Sequence, residues 1–268
     1  MIECQLPTEI SQVQVDDLLI NDDWWMSQKL DGQRLIVDIG SEGQFECYGR
    51  AGISIHPTPE ILRDIKVDPR FSGWTMDGEL LDQGFYAFDL LRGEGSYVNN
   101  MMLDTRLAFL DRLIKLLECE VIKGTPVWKT TEEKQFNWQR ASEEHLEGVV
   151  FKKAKAPYKP GRNMNFVKYK FVKDVDCQVI DKEVNGKRNF LLGIYNGDHI
   201  VEVGKVSALT GDGPRVRVGD VVTVECLYAS ENGNLVQPVT PRLRRDKKPE
   251  ECTIDQIFQL QTRKDLIL

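Results

Sequence analysis

Lys29-Leu30-Asp31-Gly32-Gln33-Arg34 sets an amine, a carboxylate and a guanidinium around one glycine, just ahead of the apolar run Leu35-Ile36-Val37. The run reads as a strand over 34–39, paired with a second over 44–48 across the turn Gly40-Ser41-Glu42-Gly43. Alone, these six residues would also suit a surface turn with a salt bridge. Four more clusters follow in order at the ends of strand-like runs: Asp77-Gly78-Glu79-Leu80, Phe85-Tyr86-Ala87-Phe88-Asp89, Glu147-Gly148-Val149-Val150-Phe151-Lys152 and Lys168-Tyr169-Lys170.

Working outward, short strands and helices alternate through the first part of the chain. Thr58-Pro59 reads as the opening of a helix, with threonine as cap and proline in its first position. Residues 74–81 and 85–91 read as buried strands, because their apolar runs are short and bounded by glycines. Leu107, Leu110, Leu113, Ile114 and Leu117 recur at helical spacing, which predicts an amphipathic helix over 105–119. A more polar helix is expected before Glu147.

Beyond about residue 172 the helical period disappears. Residues 175–184, 190–195, 200–206, 221–229 and 235–239 are strand-like, separated by Asn185-Gly186, Asn196-Gly197, a glycine-rich stretch at 211–213 and Asn232-Gly233. Five short strands in so short a span suit a small closed barrel, with the OB type leading. The expected fold class is α+β, with residues 1–172 forming a domain of antiparallel sheets and helices and 173–268 an all-β OB-fold barrel. The hinge is placed near 171–175.

The 268 residues are 41% hydrophobic and 29% charged, with no apolar stretch of membrane-spanning length, so the chain reads as soluble and globular. The start, MIECQLPTEI, lacks the basic and then apolar regions of a secretory signal, and a cytoplasmic location without membrane association is expected. Six scattered cysteines make no C-x-x-C pair and are read as buried thiols.

The net charge of −7 is unevenly spread. Residues 1–150 hold 14 Lys+Arg against 27 Asp+Glu, and residues 151–268 hold 21 against 15. From Lys152 to Lys173 eight cations come with no acid between them, and a second cluster holds Arg242, Arg244, Arg245, Lys247 and Lys248. Such runs are solvated faces or phosphate-binding surfaces, and a focused local field permits the second despite the net charge.

Together the five ordered clusters resemble the motifs of the covalent nucleotidyltransferase superfamily, most closely the ATP-dependent DNA ligases in a minimal two-domain form. The resemblance covers nearly the whole chain, and Arg242-Leu243-Arg244-Arg245-Asp246-Lys247-Lys248-Pro249-Glu250 looks like the C-terminal motif that favours ligases over capping enzymes. It implies an adenylation domain followed by an OB fold, ATP as cofactor, magnesium with manganese able to replace it, and a monomer acting on nicked double-stranded DNA.

By the resemblance, Lys29 is the nucleophile that takes AMP from ATP, and Asp31 orients the site around it. A lysine amine attacks phosphorus only when deprotonated; Lys168, Lys170 and a divalent metal favour that form and stabilise the charge developing at the α-phosphate. Glu147 and Glu79 offer hard oxygens for magnesium, Glu79 lying also near the ribose. Arg34 and Arg50 are expected on the ribose or the nick phosphate, Phe88 stacked on adenine, and Ser27 at its amino group, where relatives often carry Glu or Thr. Arg242, Arg244 and Lys247 would approach the triphosphate when the barrel closes.

Two alternatives remain at this stage. One is an RNA ligase or GTP-using capping-type nucleotidyltransferase; the other is a non-catalytic nucleic-acid-binding module, against which stand the intact amine, carboxylates and cations.

Overall fold

The computed structural model describes residues 3–56, 58–93, 96–98, 100–185, 187–207, 216–261 and 266–268. It divides into two compact units, one of Met1–Ala141, Gly148–Tyr169 and Asp265–Leu268, the other of Ser142–Glu147 and Lys170–Lys264. In chain order the first elements are β1 (Gln5–Glu9), α1 (Gln12–Leu19), β2 (Trp24–Gln28), β3 (Gln33–Ile39), β4 (Phe45–Tyr48), α2 (Glu60–Arg63), β5 (Thr75–Leu81) and β6 (Gly84–Gly93). There follow β7 (Ser96–Tyr97), α3 (Leu103–Leu117), β8 (Ile122–Gly124), α4 (Thr131–Glu143), β9 (Gly148–Lys153) and β10 (Gly161–Lys170).

In the first unit one sheet runs β4-β3-β5-β6-β7, with β8 parallel to β6. Strand alternation decides its two faces. Leu35, Val37 and Ile39 of β3, Met76 of β5 and Phe85, Ala87 and Leu90 of β6 turn to one core, capped by Leu110, Leu113 and Leu117 of α3. Truncating such a fully buried leucine as Leu113 would cost about 2–5 kcal/mol. Arg34, Ile36 and Asp38, the intervening residues of β3, line the opposite face.

Between Asp77/Asp89 and Gly78/Ala87 the β5–β6 register slips, leaving Phe88 as the extra residue of a β-bulge. A bulge re-aims one side chain without moving its neighbours out of the core. Phe88 is accordingly half-buried, whereas Ala87 and Asp89 on either side are buried.

The second sheet runs β1-β10-β9-β2. Its β2 pairs antiparallel with β9, matching Gln28 to Val149, and the backbone N–H of Lys29 continues the ladder to the Gly148 carbonyl at 2.9 Å. The motif lysine is thereby pinned at a strand end. β1 was not expected, since Pro7 interrupts it; as an edge strand lying parallel to β10 it tolerates proline.

In the second unit β11 (Lys173–Asn185), β12 (Lys187–Asn196), β13 (His199–Ser207), β14 (Val221–Cys226) and β15 (Val239–Arg244) precede α5 (Asp255–Phe258). They form one sheet in the order β13-β12-β11-β14-β15, and Leu235 N–H to the Val203 carbonyl at 2.7 Å, with β13 packed against β15, curls it. Val175, Cys177 and Val179 of β11 and Val222, Val224 and Cys226 of β14 fill its interior.

The α+β fold class with an OB-type second domain holds, and two local expectations are corrected. The fifth strand lies at Val239–Arg244, not at 235–239, where Leu235 makes only an isolated bridge to Ala229. Pro241 and the cationic run disguised it, although Leu243 alternates inward to the core. The helix after Thr58 is capped at Pro59 without any side-chain bond, and Thr58 only accepts through its carbonyl from Arg63 Nε. The expected turn at Gly186 and the glycine-rich stretch at 211–213 lie outside the described residues. Five cysteines are buried and Cys119 is half-buried; burial pushes the Cys47 thiol up to about 11 and that of Cys226 to about 12.

Candidate active site

Gly32 makes the approach of the first motif to β5 possible. A Cβ there would stand 2.2 Å from the Leu80 carbonyl oxygen and 2.6 Å from Leu81 Cδ2, so no side chain fits. With the loop pressed onto β5, Lys29 lines an open cleft whose wall also includes Ser27, Arg34, Glu79 and Phe88. Five of the residues singled out in the sequence thus meet around one space.

Within this cleft Arg34 forms the floor. Its Nε and Nη2 each donate to a different oxygen of Asp77 at 2.7 Å, and Nη2 also donates to the Gln5 carbonyl at 3.1 Å. Tyr158 Oη donates to Asp77 Oδ2 at 3.0 Å and accepts from the Gln5 backbone N–H at 2.7 Å. Burial, with Asp77 alongside, drives the Tyr158 phenol far above its ordinary range. The guanidinium fork of Arg34 is therefore committed to a buried carboxylate, and its plane presents Cζ 4.8 Å from the centre of the Phe88 ring.

Lys152 lines the same cleft. Its Nζ lies 4.5 Å from the Phe88 ring centre and 4.9 Å from that of Phe166, donates to the Phe88 carbonyl at 2.9 Å, and stands 3.5 Å from Asp89 Oδ2. Burial pulls its ammonium below the usual lysine range, against the opposing charge of Asp89. Asp89 is fully buried and also holds Arg106 through bonds of 2.7 and 3.0 Å. Burial raises the Asp89 carboxyl, but Lys152 and Arg106 outweigh it and hold the group below the carboxylate range.

Asp31 is half-buried in the loop after Lys29, and Arg50 is exposed in the turn closed by Gly52 N–H to the Gly49 carbonyl at 2.8 Å. Neither lines the cleft. Lys168 of β10 ion-pairs with Glu9 at 3.2 Å. In the second unit, buried Glu147 pairs with Lys170 at 3.6 Å, and Lys170 also donates to Gln237 at 2.9 Å.

The C-terminal cations are gathered by two carboxylates that sequence reasoning missed. Arg242 donates to Asp174 at 2.6 Å, while Lys247 at 2.6 Å and Arg244 at 3.2 Å both reach Asp176. The signal lay in the alternation Asp174-Val175-Asp176-Cys177, which turns both acids outward beside β14 and β15. In the sequence Lys152 reads as the end of the cluster Glu147 to Lys152 and as part of a basic run, with no role of its own. That run is no uniform stripe: Lys152 turns inward, Lys155 bonds Asp104, and Arg162 donates to the Pro7 carbonyl.

Comparison with known proteins bears on the domain and the fold. Residues 81–170 match the family model of the ATP dependent DNA ligase domain. A DNA ligase of Nanoarchaeum equitans is 27% identical over 220 residues, and the match spans 65% of this chain but only 39% of that protein. Among solved structures, one from a study of Lig E DNA ligases, titled as DNA binding with a minimal scaffold, superposes with a TM-score of 0.67 at 19% identity over 91% of this chain and 100% of its own. A mycobacterial DNA ligase D complexed with ATP superposes with a TM-score of 0.56 at 20% identity over 94% of this chain and 98% of its own. Residues 81–170 thus match the ATP dependent DNA ligase domain, and over nine-tenths of its length the chain shares the fold of a minimal DNA ligase.

Proposed function

We propose that the chain seals nicks in duplex DNA as a monomeric ATP-dependent ligase, with an adenylation domain over 1–172 and an OB domain over 173–268. The observation that carries this reading is the meeting of Lys29, Glu79 and the bulged Phe88 around one cleft, with Arg34 Cζ 4.8 Å and Lys152 Nζ 4.5 Å from the centre of the aromatic ring. Phe88 offers a π face for adenine, and Ser27 a hydroxyl at the same wall.

Lys29 Nζ attacks the α-phosphorus of ATP, forming an N–P bond as the P–O bond to pyrophosphate breaks. The AMP then passes to the 5′-phosphate at the nick, and the 3′-hydroxyl displaces it to close the phosphodiester. Asp31 orients Lys29, and Arg50 takes a nick phosphate. Lys168, Lys170, Arg242, Arg244 and Lys247 balance phosphate charge during these transfers.

Among the described residues no three His, Cys, Asp or Glu side chains gather into a metal cage. A single carboxylate such as Glu79 in the cleft, or Glu147, fits a magnesium ion held mainly by phosphate oxygens and water. When bound, that ion would neutralise charge on the departing pyrophosphate. The test is incubation with α-phosphate-labelled ATP or GTP and magnesium, followed by denaturing electrophoresis. Label from ATP that stays on the protein and vanishes in Lys29→Ala is expected, followed by sealing of nicked DNA; label from GTP, or none, would overturn the reading.

A further inference from the structure

The face of the six-stranded sheet that carries Arg34 and Glu79 carries a second cleft at its other end. The register pairs Asp38 with Thr75, Thr75 with Arg92, and Arg92 with Tyr97, so these four form one row across β3, β5, β6 and β7. From Arg34 to Asp38 is four residues of strand, roughly 13 Å. Between the two rows lie Ile36, Asp77 and Asp89, all buried, which separates the clefts.

The row opens into a space of about 240 Å3, walled by Tyr48 and Gly52 and floored by Ile36. Its groups differ in what they ask of a visitor. Asp38 Oδ1 accepts from Thr75 Oγ1 at 2.8 Å, and an ionised carboxylate has further acceptor sites. Arg92 lies with Cζ 5.2 Å from the centre of the Tyr97 ring, and its buried Nε has no hydrogen-bond partner among the described residues. An orphaned buried donor is costly and calls for an acceptor. Tyr97 is 61% exposed and offers an aromatic face beside the guanidinium.

A ligand satisfying all three is flat, with acceptors on one edge and donors on the adjoining edge. Asp38 and Arg92 stand two strands apart, roughly 10 Å between backbones, with the Arg92 guanidinium beside Tyr97. Guanine presents O6 and N7 as acceptors to arginine and its N1–H and N2–H donors to a carboxylate. Adenine would turn the lone pair of N1 toward the carboxylate, and no pyrimidine carries a two-acceptor edge beside a two-donor edge. We infer that this second cleft is a guanine-binding site, distinct from the cleft at Lys29 and independent of the ligase reading.

The experiment is binding of guanosine monophosphate to the full chain, followed by NMR in the presence of saturating ATP. Saturable binding is expected, weakened about tenfold for inosine monophosphate, which lacks the N2 donors, and by a similar factor in Asp38→Asn and Arg92→Gln. Thermal melting checks that the variants fold; if Asp38→Asn does not, Tyr97→Ala at its exposed position reads the same cleft. A short single-stranded oligonucleotide with one guanine separates the sources. Tighter binding than the mononucleotide assigns the site to a strand, and equal or weaker binding assigns it to a free guanine nucleotide. Absence of saturable binding, loss of binding when ATP is added, or equal affinity in the folded variants would overturn the inference.

Discussion

Lys152 holds Phe88 twice, donating to its backbone carbonyl at 2.9 Å and standing 4.5 Å from the centre of its ring. A bulged residue has lost its ladder partner, and a side-chain donor to its carbonyl replaces part of that restraint. Replacing the ammonium by an apolar chain of similar length should therefore loosen the ring's position. Lys152→Met is expected to raise the ATP concentration needed for half-maximal protein labelling about tenfold, with partial recovery in Lys152→Arg. An unchanged ATP requirement in the folded variant would show that Phe88 is positioned without it.

Arg106 and Asp89 are an ion pair with side chains 2% and 1% exposed. Breaking a buried pair from one side leaves an uncompensated charge, so Arg106→Leu should cost about 3–5 kcal/mol, reduced to the extent that Lys152 still answers Asp89. The acid limb carries the sign. The Asp89 carboxyl is held low in the folded chain, so its contribution is present above the unfolded aspartate value, near 4, and disappears as pH falls through the lowered folded value. Urea midpoints measured from pH 7 downward should fall less steeply in Arg106→Leu than in the parent; parallel curves would contradict the linkage.

Residues that act by their chemical type were legible in the sequence, and those that act by strand phase were not. Lys29, Glu79 and Phe88 stood out because an amine, an acid and an aromatic recur in a known order. The slip that aims Phe88 comes from pairing between two strands, and no single strand's alternation contains it. The partners of Asp77 and Asp176 are invisible until Arg34 and Lys247, 43 and 71 positions away, are folded against them. Lys152 is hidden in a cationic run for the same reason: β9 alternation, not charge density, turns it inward.

Gly32 tests the packing of the nucleophile loop. Its Cβ position, 2.2 Å from a backbone oxygen, leaves no flexible atom to yield. Gly32→Ala should push the loop off β5, costing about 1–3 kcal/mol of stability and moving Lys29 away from the cleft. Labelling from ATP should fall far more than melting temperature does, since small misplacements of a reacting group cost rate steeply. A variant that labels at the parent rate would show that the loop position does not matter to the lysine.

Lys247 and Asp176 bind at 2.6 Å on the outer face of β11, with Arg244 sharing the same carboxylate at 3.2 Å. Burial raises the Asp176 carboxyl, while Lys247, Thr223 and Arg244 together outweigh it and hold the group low, so this cluster also contributes stability above the unfolded aspartate range and loses it in acid. Asp176→Asn should lower stability by about 1–3 kcal/mol while leaving both cations in place. Lys247→Ala should instead leave the fold nearly unchanged and act on chemistry, slowing labelling from ATP more than the sealing of a nick already carrying 5′-AMP. The two rates, measured on the same preparation, separate the roles: equal losses in both would mean that Lys247 serves phosphate binding in general, and unequal ones that its charge is used while the triphosphate is present.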